Sequence, residues 1–319
     1  MLIGLVLLAT GGALRGVGPN VQVLFAMTFV MGLGIAIVQP ALPSLVAHWL
    51  PQRVGIATAA FSNGFLIGEI LPAALTVPWI LALTGSWQAS LGFWSIPVAL
   101  TALATWLWTP AETREAGEPR RQWLPDWRDS TTWRLGICLG TASAAYFGLN
   151  AFLPDYLRAT HHPEQITSCL TLLNVLQLPA SFIVGGLSHV VLGRRWPFVA
   201  TGVLTLAAVA GFVYLPGIWQ AIAIGLVGYA AAQVFMLVLA LPPLLVPAND
   251  VHRLTAGITT IQYTTGFVAP LITGAVWDAT AASATVVWMV VVCAIVQAIV
   301  PLGMRLPEHT RGGARAQAA

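Results

Sequence analysis

Residues 54–83 read VGIATAAFSNGFLIGEILPAALTVPWILAL, and this stretch decides what kind of fold the chain can form. About 20 apolar residues suffice to cross a bilayer as a helix, so it can span with some tilt. Its one ionisable residue, Glu69, stands near the middle. A carboxylate at that depth costs roughly 2.5–3.5 kcal/mol on insertion scales and is expected to face a partner or a wet cavity. Thr58, Ser62 and Glu69 fall on one helical face. Ala60, Gly64 and Gly68 form a second face, of small residues that would let a neighbouring helix come close.

Working outward, the whole chain has the same character. Of its 319 residues 57% are hydrophobic and only 8% charged, against about 25% charged in ordinary soluble domains. Its mean hydropathy is +0.81. A soluble fold cannot hide that much apolar surface, so the composition requires a multi-pass, all-α membrane protein. Cys138, Cys169 and Cys293 lie in apolar runs without ligand spacing and read as small core residues. No metal or other cofactor is expected, and no nucleic-acid partner. The absence of H-E-x-x-H, G-x-S-x-G and carboxylate-cluster motifs argues against an enzyme.

Ten apolar segments can be marked, at about 2–14, 21–46, 54–83, 88–108, 133–156, 166–192, 197–214, 217–247, 254–276 and 282–303. The polar stretch 109–132 divides them four and six. This divides the chain into an N-terminal bundle (1–108), a linker (109–132) with surface helix expected through Trp123 and Trp127, a C-terminal bundle (133–307) and a tail (308–319). All fourteen basic residues are Arg. Arg15 and Arg158 fall on one side of the membrane and the other twelve on the opposite side. The positive-inside rule then makes the linker and C-terminus cytoplasmic, in a plasma or inner membrane. Tryptophans at segment ends, among them Trp49, Trp79, Trp87, Trp108, Trp133 and Trp219, suit interfacial anchoring.

The chain repeats itself. VGIATAAFSNGFLIGEI (54–70) aligns without gaps to AGITTIQYTTGFVAPLI (256–272), and ALPSL (41–45) to ALPPL (240–244). Two matched blocks in the same order imply parallel halves related by an axis along the membrane normal.

These features resemble the major facilitator superfamily, in which two six-helix bundles are joined by a polar cytoplasmic loop. GLGIAIVQPALPSLVAHWLPQRVGIATAAFSNGFLIGE (32–69) resembles the cyanate and nitroimidazole transporter family within it, as do LPASFIV (178–184) and the block at 256–278. GLSHVVLGRR (186–195) is similar to the superfamily's cytoplasmic turn, with His189 where an acid is usual. The resemblance implies a two-bundle fold of about ten transmembrane helices, four plus six, lacking the first two of the usual twelve. It implies a substrate class of small solutes: a cyanate-like anion, a nitroimidazole or another small organic compound. Such a solute would move by alternating access, with a co-transported proton as a candidate partner and a monomer in the bilayer as the working form. The alternative is an N-terminally truncated, non-transporting remnant, because the family's N-L-R-P helix has no counterpart here.

Among candidate substrate-binding residues Glu69 leads, followed by Asn63 and Ser62 in the same segment. Gln39 precedes Pro40 in the second segment, where a proline can free a carbonyl toward a cavity. Tyr146 with Asn150, Asn174 with Gln177, Gln233 and Gln262 are uncharged polar residues well inside segments five, six, eight and nine. Each has a plain alternative as inter-helix glue. Asp155, Arg158 and Asp278 sit at outer ends, where solvated charge is the simpler reading. So do Arg15, expected to snorkel, and the pair His161–His162.

Overall fold

The computed structural model describes residues 1–17, 20–108, 124–247 and 250–304. Every regular element among them is helical. The first half comprises α1 (Leu2–Leu14), α2 (Val21–Trp49), α3 (Val54–Leu75), α4 (Leu81–Thr84), α5 (Trp87–Phe93) and α6 (Ser95–Trp108). The second comprises α7 (Ser130–Ala159), α8 (Ile166–Val175), α9 (Leu178–Gly186), α10 (Ser188–Val191), α11 (Trp196–Tyr214), α12 (Ile218–Ala240), α13 (Pro242–Leu245), α14 (Val251–Thr280) and α15 (Ala284–Ile299). They overlap the ten segments marked from sequence, with α2, α7 and α14 running about three to four residues past the marked ends. Six runs among the described residues are long and apolar enough to cross a membrane: 21–46, 87–108, 130–159, 196–214, 218–245 and 284–303. By that measure α1, α8, α9 and α14 fall short, yet they pack in the same bundle.

Local chemistry sets the ends. Asn20 accepts from Gln22 N at 2.9 Å to start α2, and Asp129 accepts from Thr131 N at 2.9 Å to start α7. The prolines of α3 explain its finish. Pro72 lies inside the helix, and beyond Leu75 the chain widens to a π turn over Thr76–Ile80 that contains Pro78. Gly85, at φ +67°, ends α4 in the left-handed region that glycine enters without a Cβ penalty.

The core lies in the second half. Both clusters of buried apolar side chains are built from residues between Leu135 and Met304. In the first half, Leu5, Ile80 and Ala102 are the buried apolar side chains described. Lipid is as apolar as leucine, so helix association rests on close packing of small residues. Gly136 and Gly140 of α7 sit where a Cβ would meet Ile261 and Thr265 of α14 at 2.7 and 2.8 Å. Gly225 and Gly228 of α12 abut the backbone of Leu172 and Leu173 in α8. In the first half Gly4 and Gly34 bring α1 and α2 together in the same way.

Two sequence expectations need correction. The stripe Ala60–Gly64–Gly68 receives no neighbouring helix, since nothing lies within 4 Å of a Cβ built at Gly64 or Gly68. The face of α3 that packs is the one bearing Ser62 and Phe65, and it meets α9 and α12. The described end of the linker, Leu124–Asp129, is turn and not surface helix. It is pinned by Arg253, which donates to Leu124 O at 2.7 Å, and by Trp133, which donates to Trp127 O at 2.9 Å. Trp123, the rest of the linker and the tail lie outside the described residues.

Candidate functional site

Segment six breaks where the polar residues gather. Pro179 has no N–H to give and its ring crowds the carbonyl of residue i−4, so the helix cannot run through. It stops as α8 at Val175 and resumes as α9 at Leu178, with Leu176 and Gln177 between. The break holds Asn174 and Gln177 near the middle of the segment.

On α7, Ser143, Tyr146 and Asn150 are spaced by three and four, which aligns them on one face. From the first half, α3 brings Glu69 to that face. The Tyr146 hydroxyl lies 2.5 Å from Glu69 Oε1 and 2.5 Å from Asn174 Oδ1. Asn174 Nδ2 in turn donates to Asn150 Oδ1 at 3.2 Å and to Leu170 O at 2.8 Å, and Asn150 Nδ2 donates to Tyr146 O at 3.0 Å. Gln177, buried, stands beside the same phenol. Five sequence candidates, Tyr146 among them, thus gather in one cluster that joins three segments and both halves. Glu69 itself is exposed and not buried, because the neighbouring face of α3 is open.

The phenol has one hydrogen and two acceptors beside it. With Asn174 Nδ2 committed to Leu170 O and Asn150 Oδ1, Asn174 presents its carbonyl oxygen to Tyr146. The phenol can therefore satisfy one acceptor, and the second contact closes as a hydrogen bond when Glu69 brings a proton of its own.

A second tie crosses between the halves. Tyr263 on α14 donates to Gln39 Oε1 on α2 at 2.5 Å, and Gln39 is buried. At 1.5 Å per residue, Gln39 lies about 15 Å from the linker-side end of its helix, and Glu69 about 22 Å. The two ties therefore sit at different depths. Nearby, Gln262 Nε2 donates to Ser143 Oγ at 3.1 Å, extending the polar face of α7.

The remaining candidates are not joined to this network among the described hydrogen bonds. Ser62 is fully buried with Oγ unpartnered, and the Oε1 atoms of Gln233 and Gln262 are likewise buried without a partner. Asn63 is half-buried. At the outer ends, Arg158 pairs with Asp155 at 2.9 Å, both well exposed, and His162 faces Glu164 at 3.3 Å. Sequence reasoning missed Ser143 and Tyr263. Ser143 was legible as the residue three before Tyr146. Tyr263 was legible as the hydroxyl that distinguishes it from its repeat partner Phe61.

The family model for the Major Facilitator Superfamily matches residues 1–270. Among curated proteins, the cyanate transport protein CynX of Escherichia coli (strain K12) is 28% identical over 218 residues, covering 67% of this chain and 56% of that protein. The 2-nitroimidazole transporter of the same organism is 27% identical over 223 residues, covering 68% and 55%. The uncharacterized transporter YycB of Bacillus subtilis (strain 168) is 25% identical over 310 residues, covering 94% and 74%. The chain thus spans little more than half the length of the two E. coli relatives. Of solved structures, the E. coli fucose:proton symporter FucP superposes with a TM-score of 0.68 at 16% identity, over 94% of this chain and 82% of that one. The human organic anion transporter MFSD10 gives 0.62 at 15%, over 93% and 76%. At such identities these two likenesses speak for the fold.

Proposed function

The chain belongs to the major facilitator superfamily, and on that premise we propose that it carries out secondary transport of a small solute by alternating access, at a site built on Glu69, Tyr146, Asn150, Asn174 and Gln177. The observation that carries this reading is the Glu69–Tyr146–Asn174 connection, which ties the two halves together through a carboxylate and a broken helix. Discontinuous helices at mid-membrane are where transporters place solute and coupling ions. Rocking of one half against the other must break the connection.

Glu69 is the proton-coupling group. A protonated carboxyl completes the hydrogen bonds around Tyr146, and its loss leaves one acceptor unsatisfied, so proton exchange and separation of the halves are linked. A carboxyl, a phenol and three amides suit a small, uncharged solute that exchanges hydrogen bonds. No Arg joins the network among the described hydrogen bonds. 2-Nitroimidazole, named for one relative and uncharged, is the solute to try first, with anionic cyanate, named for another, as the contrast. Gln39 and Tyr263 form the gate contact closer to the linker side. That side is cytoplasmic by the distribution of Arg. A reporter fused after Arg121 is expected inside and one inserted near His161 outside; the reverse pattern would overturn the orientation.

The deciding experiment is uptake of labelled solute into proteoliposomes under an imposed pH gradient. Glu69→Gln keeps a donor for Tyr146 but cannot release a proton, so gradient-driven uptake should fall about tenfold or more, a barrier of at least about 1.4 kcal/mol. What remains should lose its dependence on the gradient. Unchanged, gradient-driven uptake by Glu69→Gln would leave Glu69 a structural hydrogen-bonding group and end this reading.

A further inference from the structure

The outward face of α11 carries a feature that the transport site does not use. Trp196, Val199, Ala200, Val203, Leu204 and Ala207 recur at helical spacing and, with Leu302 beyond α15, line a groove of about 820 Å³. From Trp196 to Ala207 it runs about 16 Å along the helix axis. That is about half of a 30 Å hydrocarbon layer, the depth of one leaflet. The groove follows from packing. At Gly202 a Cβ would meet Ala298 N at 2.6 Å, so α11 and α15 lie close together and leave a furrow beside their contact.

The mouth of the furrow is basic. Gly193, at φ +74°, turns the chain out of α10 directly into Arg194 and Arg195. Arg195 Nη1 donates to Leu302 O at 3.2 Å, which holds its guanidinium at the groove's edge. Arg194 beside it is exposed, and neither has an acidic partner among the described ion pairs. Trp196, about half exposed, stands at the same end, where indoles sit at the headgroup level.

We propose that this groove binds one anionic phospholipid from the leaflet on the Arg-rich side. An acyl chain lies along Val199, Val203 and Ala207, and the phosphate rests on Arg194 and Arg195. Charge selects the occupant. Two guanidiniums without an acidic partner among the described ion pairs offer forked donors that match phosphate oxygens, and basic pockets beside membrane helices favour anionic headgroups. A second groove, lined by Val175, Leu176, Leu178, Pro179, Phe182 and Ile183, is apolar throughout and serves as a contrast. It has no reason to prefer one headgroup over another.

The test is quenching of Trp196 fluorescence in the full chain, reconstituted in phosphatidylcholine vesicles with increasing phosphatidylglycerol. One or the other lipid is brominated near the headgroup end of its acyl chains. Subtracting the signal of Trp196→Phe isolates this indole. Each Arg near the surface contributes about 1 kcal/mol toward an anionic lipid, so brominated phosphatidylglycerol should quench at a mole fraction roughly thirtyfold lower than brominated phosphatidylcholine. Arg194→Gln, which leaves the Arg195–Leu302 bond in place, should cut that preference about fivefold. The double variant Arg194→Gln/Arg195→Gln should abolish it. Equal quenching by the two lipids, or a preference that survives the double variant, would overturn the proposal. Quenching by neither, with cross-linking of two copies through this face, would make a second chain the occupant.

Discussion

The two copies of the repeated block bury opposite faces. In the first, Ser62 is fully buried and Gly64 is open; in the second, the matching Thr264 is exposed and Gly266 is buried against Phe147 at 3.2 Å. The neighbours account for the difference. Copy two, in α14, lies along α7 of its own half and is gripped through Gly257 and Gly266, whereas copy one, in α3, leans on α9 and α12 of the other half. Related sequence therefore does two jobs, one inside a bundle and one across the interface. Position 69 shows the consequence. The face of copy one that bears the buried Ser62 also carries Glu69 to Tyr146, while its counterpart Leu271 faces outward.

The comparison can be broken most severely at that position. Leu271→Met should leave uptake within about twofold of the parent, because it exchanges one exposed apolar side chain for another and such changes stay within about ±0.5 kcal/mol. Glu69→Gln loses a tenfold or larger share. Equal losses from the two would mean that the copies are functionally equivalent.

Next in size is the glycine pair. Gly266→Val adds bulk where Phe147 already stands at 3.2 Å and should destabilise the fold by about 1–3 kcal/mol, while Gly64→Val should change little. Cys138, Cys169 and Cys293 are all buried and free, so the rate of labelling by a thiol-reactive dye during heating measures both. A larger effect at Gly64 would reverse the assignment of faces.

The smallest change sharpens the contrast. Tyr263→Phe makes copy two resemble Phe61 of copy one and removes the bond to Gln39, worth about 1 kcal/mol. It should lower thermal stability slightly and speed opening toward the linker side, read as faster labelling of a cysteine placed at Ile35, one turn behind Gln39. Unaltered labelling would make the pair incidental to gating.

The site was partly legible. Glu69, Tyr146, Asn150, Asn174 and Gln177 stood out because a polar group in an apolar run is costly, which makes each one informative. What the run of residues could not say is which of them meet. Asn63, Ser62 and Gln233 carry the same signal and are not joined to the network among the described hydrogen bonds. Burial failed for the same reason. An acid in an apolar segment suggests enclosure, yet Glu69 is exposed although it shares a helical face with the fully buried Ser62.

By itself the sequence determined the class of fold. Segment lengths, the scarcity of charge, the placement of arginines and the repeated block are one-dimensional quantities, and the bilayer, by admitting only helices that satisfy their own backbone, converts them into architecture. The tertiary structure decided the rest. It set which face of each repeat is buried, where Pro179 breaks a helix beside Asn174, and which phenol joins the two halves. Those outcomes depend on close packing between helices far apart in the chain, and no local pattern encodes a partner's position.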